Sequence, residues 1–198
     1  MIELNYMEIK ILENQSVYLK GKKENVLINP SKDRRDDGKY PSRIFLFTAE
    51  KYDGMGFEGD KILIRAPGEY EVGGIEINGY SSGKENTFYV IEIDGIKVVF
   101  LGDLDEAISD KRIEKIDSAD VLLAPVLIKD SLSAKLVLDW AKKWGVNYLI
   151  PMGYGEDKTN LDKFLDQADQ EGLEAVEVLK VDKDDLPDGL ELKVLKKV

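Results

Sequence analysis

Asn86-Thr87-Phe88-Tyr89-Val90-Ile91-Glu92-Ile93-Asp94-Gly95-Ile96-Lys97-Val98-Val99-Phe100-Leu101-Gly102-Asp103 carries the plainest hairpin signal in the chain. Its first half carries Phe88, Val90, Ile91 and Ile93 at strand-like spacing, the pattern of a half-buried strand. Asp94-Gly95 is a residue pair that accepts the positive φ of a tight turn, so residues 97–101 return as a second, antiparallel strand. That strand ends in Leu101-Gly102-Asp103, which places a carboxylate directly after a glycine at a strand end.

Upstream, short strands are expected at 7–11, 16–20, 25–30 and 43–47. More follow at 61–64, 69–72 and 75–77, broken by Ala66-Pro67-Gly68 and Gly73-Gly74. The polar stretch 31–42, with Gly38 and Pro41, reads as a loop. Gly79-Tyr80-Ser81-Ser82 reads as another loop, before the hairpin. Downstream the character changes. A helix is expected at 109–116 after a serine cap, a buried strand at 120–126, and an amphipathic helix at 132–144 ending before Gly145. A strand at 147–152, a helix at 159–171 and closing strands at 176–181 and 190–195 complete the chain. Many antiparallel strands followed by alternating helix and strand give one α/β domain over residues 1–198, with two sheets and helices outside. Trp140 and Trp144, four apart on one helix, are expected to pack in the core.

Composition removes whole classes of chemistry. The chain has no cysteine and no histidine. Thiolate and imidazole metal sites, disulfides and histidine-dependent nucleophilic relays are therefore ruled out. Any metal would have to be held by oxygen, which suits magnesium, calcium or manganese better than zinc. The net charge of −11 opposes nucleic acid, whose binding rests on Lys and Arg neutralising phosphates. The one basic run, Lys32-Asp33-Arg34-Arg35-Asp36-Asp37, is cancelled by its own aspartates. No apolar run is long enough to cross a membrane, and the first ten residues lack the features of a signal peptide. The expected location is the cytoplasm, with no nucleic acid or membrane among the partners.

Three segments together point to a family. They are Ala66-Pro67-Gly68-Glu69-Tyr70-Glu71-Val72-Gly73-Gly74, the hairpin ending in Gly102-Asp103, and Asp120-Val121-Leu122-Leu123-Ala124-Pro125-Val126 with Ile150-Pro151-Met152-Gly153-Tyr154 beyond it. In order and spacing they resemble the metallo-β-lactamase superfamily, in its compact branch of zinc-dependent hydrolases related to ascorbate-phosphate lactonases. The resemblance runs from about residue 7 to 195 and implies an αββα sandwich of two mixed β-sheets with outer helices.

The same resemblance implies where metal ligands should stand. The family follows a core strand with His-x-His-x-Asp-His; here residues 43–47 are followed by Thr48-Ala49-Glu50-Lys51-Tyr52-Asp53. Thr48 and Glu50 then occupy the first metal's histidine positions, and Tyr52 and Asp53 those of the second metal's aspartate and histidine. Ser81 stands near the third histidine, Gly153 at the last, and only Asp103, the bridging aspartate, is retained. The implied mechanism uses zinc to polarise a scissile bond and generate hydroxide, and these residues cannot hold zinc in that way.

The expected protein is thus a degenerate member with no cofactor. It would act as a binding, regulatory or structural module toward an unidentified protein or small molecule, with homo-oligomerisation as a further option. The alternative is a hydrolase whose hard metal ion, magnesium, manganese or calcium, is held by Glu50, Asp53 and Asp103. Asp103 itself is expected to cap backbone N–H groups of the loop that follows it. Phe45, Phe47, Tyr52, Met55 and Phe57 are expected to fill the vacated metal pocket or to form an interface patch.

Overall fold

The computed structural model describes residues 6–30, 39–52, 59–104, 106–126, 134–156, 158–170 and 172–198. Within them the strands are β1 (Met7–Glu13), β2 (Ser16–Lys20), β3 (Asn25–Ile28), β4 (Ile44–Leu46), β5 (Ile62–Ile64), β6 (Gly68–Val72) and β7 (Ile75–Ser82). They continue with β8 (Asn86–Ile93), β9 (Ile96–Phe100), β10 (Val121–Pro125), β11 (Tyr148–Met152), β12 (Leu179–Val181) and β13 (Glu191–Leu192). The α-helices are α1 (Asp110–Ile113), α2 (Ala134–Lys143) and α3 (Thr159–Gln167), and Glu50–Tyr52 forms a single 3₁₀ turn.

Two mixed sheets result, a six-stranded one in the order β12-β1-β2-β3-β4-β5 and a seven-stranded one in the order β13-β11-β10-β9-β8-β7-β6. The hairpin at Asp94-Gly95 is present: β8 and β9 pair antiparallel with Ile93 opposite Ile96, and both turn residues have positive φ. From β9 onward the ladder becomes parallel through β10, β11 and β13, because helical crossovers now separate the strands.

Strand periodicity explains the layers. In β2, β3 and β4 the residues Val17, Leu19, Val26, Ile28, Ile44 and Leu46 face the core between the sheets. The intervening Tyr18, Leu27 and Phe45 point the other way and join Leu12, Tyr40 and Phe47 in a small outer cluster. The outer face of the seven-stranded sheet is covered by α1, α2 and α3, whose Ile113, Val137, Trp140, Leu161 and Phe164 pack on Val99, Leu122 and Leu149. Helices thus lie over one sheet, whereas aromatic side chains cover the other among the described residues.

Several boundaries differ from the expectation. Ser81 and Ser82 close β7 and are not in a loop, because β7 pairs with β8 out to Ser82 opposite Asn86. The expected strands at 176–181 and 190–195 contract to Leu179–Val181 and Glu191–Leu192, and outside them Val176 and Leu195 form an isolated bridge. The start of the helix expected at 132, the basic run 32–37, Asp53, Met55 and Phe57 lie outside the described residues. No helix of the described chain is long and apolar enough to cross a membrane.

Candidate functional site

The carboxyl ends of β4, β9, β10 and β11 converge at one end of the sandwich, the position where strand sheets of this kind open a crevice. Residues just past those ends meet the β1–β2 and β7–β8 turns there. Hydrogen bonds across the two sheets hold that end together. Gly153 N donates to Asn14 O (3.0 Å), Thr87 N to Thr48 O (2.7 Å) and the Tyr89 hydroxyl to Phe47 O (2.8 Å).

Beneath the crevice lies a buried polar layer. Thr48, only 1% exposed, accepts from Asn29 Nδ2 through its hydroxyl (2.9 Å) and donates its backbone N–H to Asn29 Oδ1 (2.9 Å). Asn86 Nδ2 donates to Ser82 Oγ (2.7 Å) and Leu101 O (3.0 Å), while its Oδ1 accepts from Asp103 N (3.1 Å). Gly102 has φ +64°, and a Cβ there would lie 2.6 Å from Asn86 Oδ1 and 2.8 Å from Thr48 Cβ. The glycine is required both by conformation and by space.

Above this layer is a cleft of about 510 Å³, with Glu50, Lys51, Tyr52, Glu85, Asp103 and Gly153 in its wall. Its centre is Asp103. The Tyr52 hydroxyl donates to Asp103 Oδ2 at 2.5 Å, and the Lys51 ammonium forms an ion pair with the same oxygen. Lys51 Nζ also lies 5.0 Å from the Tyr52 ring centroid, within cation–π range. The carboxylate thus engages two side chains of the 50–52 turn, a partnership that the capping role expected for it did not include. At the far side Gly153, φ +70°, leaves a space that a Cβ would fill to within 2.6 Å of Gln15 Nε2. The Gln15 amide therefore packs where the side chain of a larger residue at 153 would project.

Of the positions suggested by the resemblance, Glu50, Tyr52, Asp103 and Gly153 line this cleft. Thr48 lies in the buried layer behind it, and Ser81 is a strand residue outside its wall. Asp53 lies outside the described residues. Phe45 and Phe47 belong to the outer cluster and do not fill the cleft; alternation along β4 directs Phe45 away from the inter-sheet core. Among the described members of that group, Tyr52 reaches the site. Lys51, Gln15 and Asn86 were not anticipated. Lys51 occupies a spacer position of the motif, where ligand spacing gives no reason to look, and Gln15 is brought in by a hairpin turn remote in sequence.

Residues 8–153 match the family model of the Beta-lactamase superfamily domain. The chain belongs to that family. Among solved structures, this metallo-β-lactamase-fold chain is similar to a Thermotoga maritima protein of the same superfamily, provisionally assigned as a Zn-dependent hydrolase. The two share 25% identity over 96% of this chain and 98% of the other, with a TM-score of 0.78. The metallo-β-lactamase fold protein YhfI from Bacillus subtilis shares the fold at 10% identity, covering 89% of this chain and 99% of its own, with a TM-score of 0.66. No curated protein matches the chain.

The donor set does not fit the zinc that the superfamily implies. The chain contains neither imidazole nor thiolate, and the one carboxylate retained at a bridging position faces an ammonium. Among the described residues no three Asp or Glu side chains come together to hold a cation. Electrostatically, the lysine supplies at Asp103 the positive charge that a metal would supply, without open coordination positions.

Burial governs the titration of the phenols here. Desolvation raises the Tyr52 pKa far above its usual value, and the hydrogen bond to Asp103 and that residue's charge add to it. Tyr89 is raised by burial and by the nearby Tyr70, and Tyr18 is pushed up to about 12 by burial and then by Glu8. Raised folded-state values mean that the neutral phenols contribute stability in full below about pH 10. That contribution is lost only as pH climbs through the folded values. Absorbance titration of the nine tyrosines should show a delayed fraction that ionises only with alkaline unfolding. Tyr52→Phe should shrink that fraction, and an unchanged delayed amplitude would contradict the burial of Tyr52.

Proposed function

We propose that this chain is a non-catalytic member of the superfamily, in which the former metal cleft serves as a binding surface for a small molecule or a partner. The observation that carries this reading is the Lys51–Asp103–Tyr52 cluster. An internal cation occupies the carboxylate that would otherwise bridge two metals. Neutral imidazoles hold zinc without cancelling its charge, whereas an ammonium competes with the metal for the same oxygen. Removal of a single histidine would weaken a site. The absence of all of them, together with a lysine placed on the remaining ligand, supports a changed role for the whole cleft.

A second reading, a hydrolase using a hard cation at Glu50, Asp53 and Asp103, is favoured by one observation: Glu50 and Asp103 line the same cleft. One measurement separates the two. Protein prepared without a histidine tag is analysed by plasma mass spectrometry, as purified and after incubation with zinc, manganese and magnesium followed by desalting. The expected result is far less than one ion per chain under every condition. Stoichiometric zinc would overturn the non-catalytic reading, and stoichiometric manganese or magnesium lost on Asp103→Asn would establish the second one.

A further inference from the structure

We infer that this chain pairs with a second copy of itself through the open edges of its two sheets, β5 of each copy lying against β6 of the other. The surface is a side wall of the sandwich and is independent of any role of the cleft. β5 ends one sheet and β6 the other, and only residues 65–67 separate them in sequence, so both edges lie on one side. Among the described residues no further strand lies beside either edge. Such an edge is a template for another strand.

Strand direction, backbone and side chains all fit this pairing. β5 runs parallel to β4, toward the cleft, whereas β6 runs away from it, because β6 to β9 alternate antiparallel. A two-fold axis along the strands therefore sets each β5 antiparallel to the other copy's β6. Ile62 N donates to Arg43 O (2.8 Å) and Ile64 O accepts from Phe47 N (3.0 Å). Their backbone groups are thus turned toward β4, which leaves those of Leu63 facing outward. On β6 the tight turn at Gly73-Gly74 pairs Val72 with Ile75, so Val72 and Tyr70 bond inward to β7. The backbone groups of Glu69 and Glu71 then face outward. With Leu63 opposite Glu71 of the second copy, Arg65 falls opposite Glu69, and Lys61 lies diagonal to Glu71. All five belong to the outer faces. Lys61 lies over the Phe45 ring (5.6 Å) and Arg65 over that of Phe47 (5.2 Å), Leu63 packs on the same aromatic cluster, and Glu69 and Glu71 are exposed. The same register sets Ile62 opposite Val72 and Ile64 opposite Tyr70 at the border of the inter-sheet core. Ile62, Tyr70 and Val72 are only partly buried there, and pairing removes more of their apolar surface from water. Charge decides against the other pairings: β5 on β5 would oppose cation to cation, and β6 on β6 carboxylate to carboxylate.

The test is sedimentation equilibrium of the full-length protein across a dilution series, with circular dichroism to check folding. The expected result is a concentration-dependent dimer that weakens as salt is added. Glu69→Lys with Glu71→Lys should raise the dimer Kd by about tenfold or more, and Lys61→Glu with Arg65→Glu should do the same. An equimolar mixture of the two double variants should dimerise again, because each β5 then meets a β6 of opposite charge. Lys61 also donates to Ser42 O, so the second variant could lose its fold; the first alters only exposed carboxylates and decides the matter alone. A single-chain mass at every concentration, or a dimer undiminished by Glu69→Lys with Glu71→Lys, would overturn the inference. A mixture of the two folded variants that stays monomeric would overturn it as well.

Discussion

Gly102→Ala is expected to lower the stability of the fold by about 2–5 kcal/mol and to dismantle the Asp103 cluster. The left-handed backbone costs a residue with a Cβ about 1–2 kcal/mol, and Gly102 sits at φ +64°. The added methyl would also lie 2.6 Å from Asn86 Oδ1 and 2.8 Å from Thr48 Cβ. Neither neighbour yields easily. Thr48 is bonded twice to Asn29, and Asn86 holds Ser82, Leu101 and Asp103 at once. Overpacking of this kind adds about 1–3 kcal/mol. In a chain of 198 residues each kcal/mol shifts Tm by roughly 2–4 °C, so thermal denaturation should show a loss of about 4–20 °C. Retention of the parent Tm would mean that the layer beneath the cleft is softer than its hydrogen bonds indicate.

Trp144→Ala acts at the opposite end of the molecule and should cost about 3–5 kcal/mol, the range for truncating a buried aromatic side chain. Trp144 is 1% exposed and stacks on Trp140 with ring centroids 6.1 Å apart. Its indole N–H donates to Ile113 O at 3.3 Å, so truncation leaves a cavity together with a carbonyl that has lost a partner. The residue joins α2 to the end of α1, which links two helices over the seven-stranded sheet. Urea denaturation should show a much lower midpoint with a similar slope, as for a loss of stability without loss of cooperativity. A cost below about 1 kcal/mol would show that the helical layer contributes little to the sandwich.

The architecture was legible because it rests on short-range patterns. The alternation through residues 88–93, the Asp94-Gly95 turn and the helical spacing around Trp140 and Trp144 each encode an element locally. Their order implied the two-sheet sandwich. The chemistry that is absent was equally legible, since a chain without histidine or cysteine cannot assemble an imidazole–thiolate metal centre in any conformation. Boundaries were less so: Ser81 and Ser82 read as loop because they are polar, and only pairing with β8 draws them into a strand. Phe45 and Phe47 read as pocket filling because they precede the motif, while the sheet sends Phe45 outward and closes both into the outer cluster.

Element order, fold family and the lack of any imidazole or thiolate donor are therefore properties of the sequence alone. All of these follow from residue type and near-neighbour spacing. What meets Asp103 is a matter of tertiary packing. Lys51 and Tyr52 meet Asp103, 51 residues away from Tyr52, because the ends of β4 and β9 come together across two sheets. Gln15 reaches Gly153 because a hairpin turn is pinned there by the bond from Gly153 N to Asn14 O. Contacts of such long range leave no periodic trace in the chain, since each depends on how two sheets pack and on neither partner's local sequence.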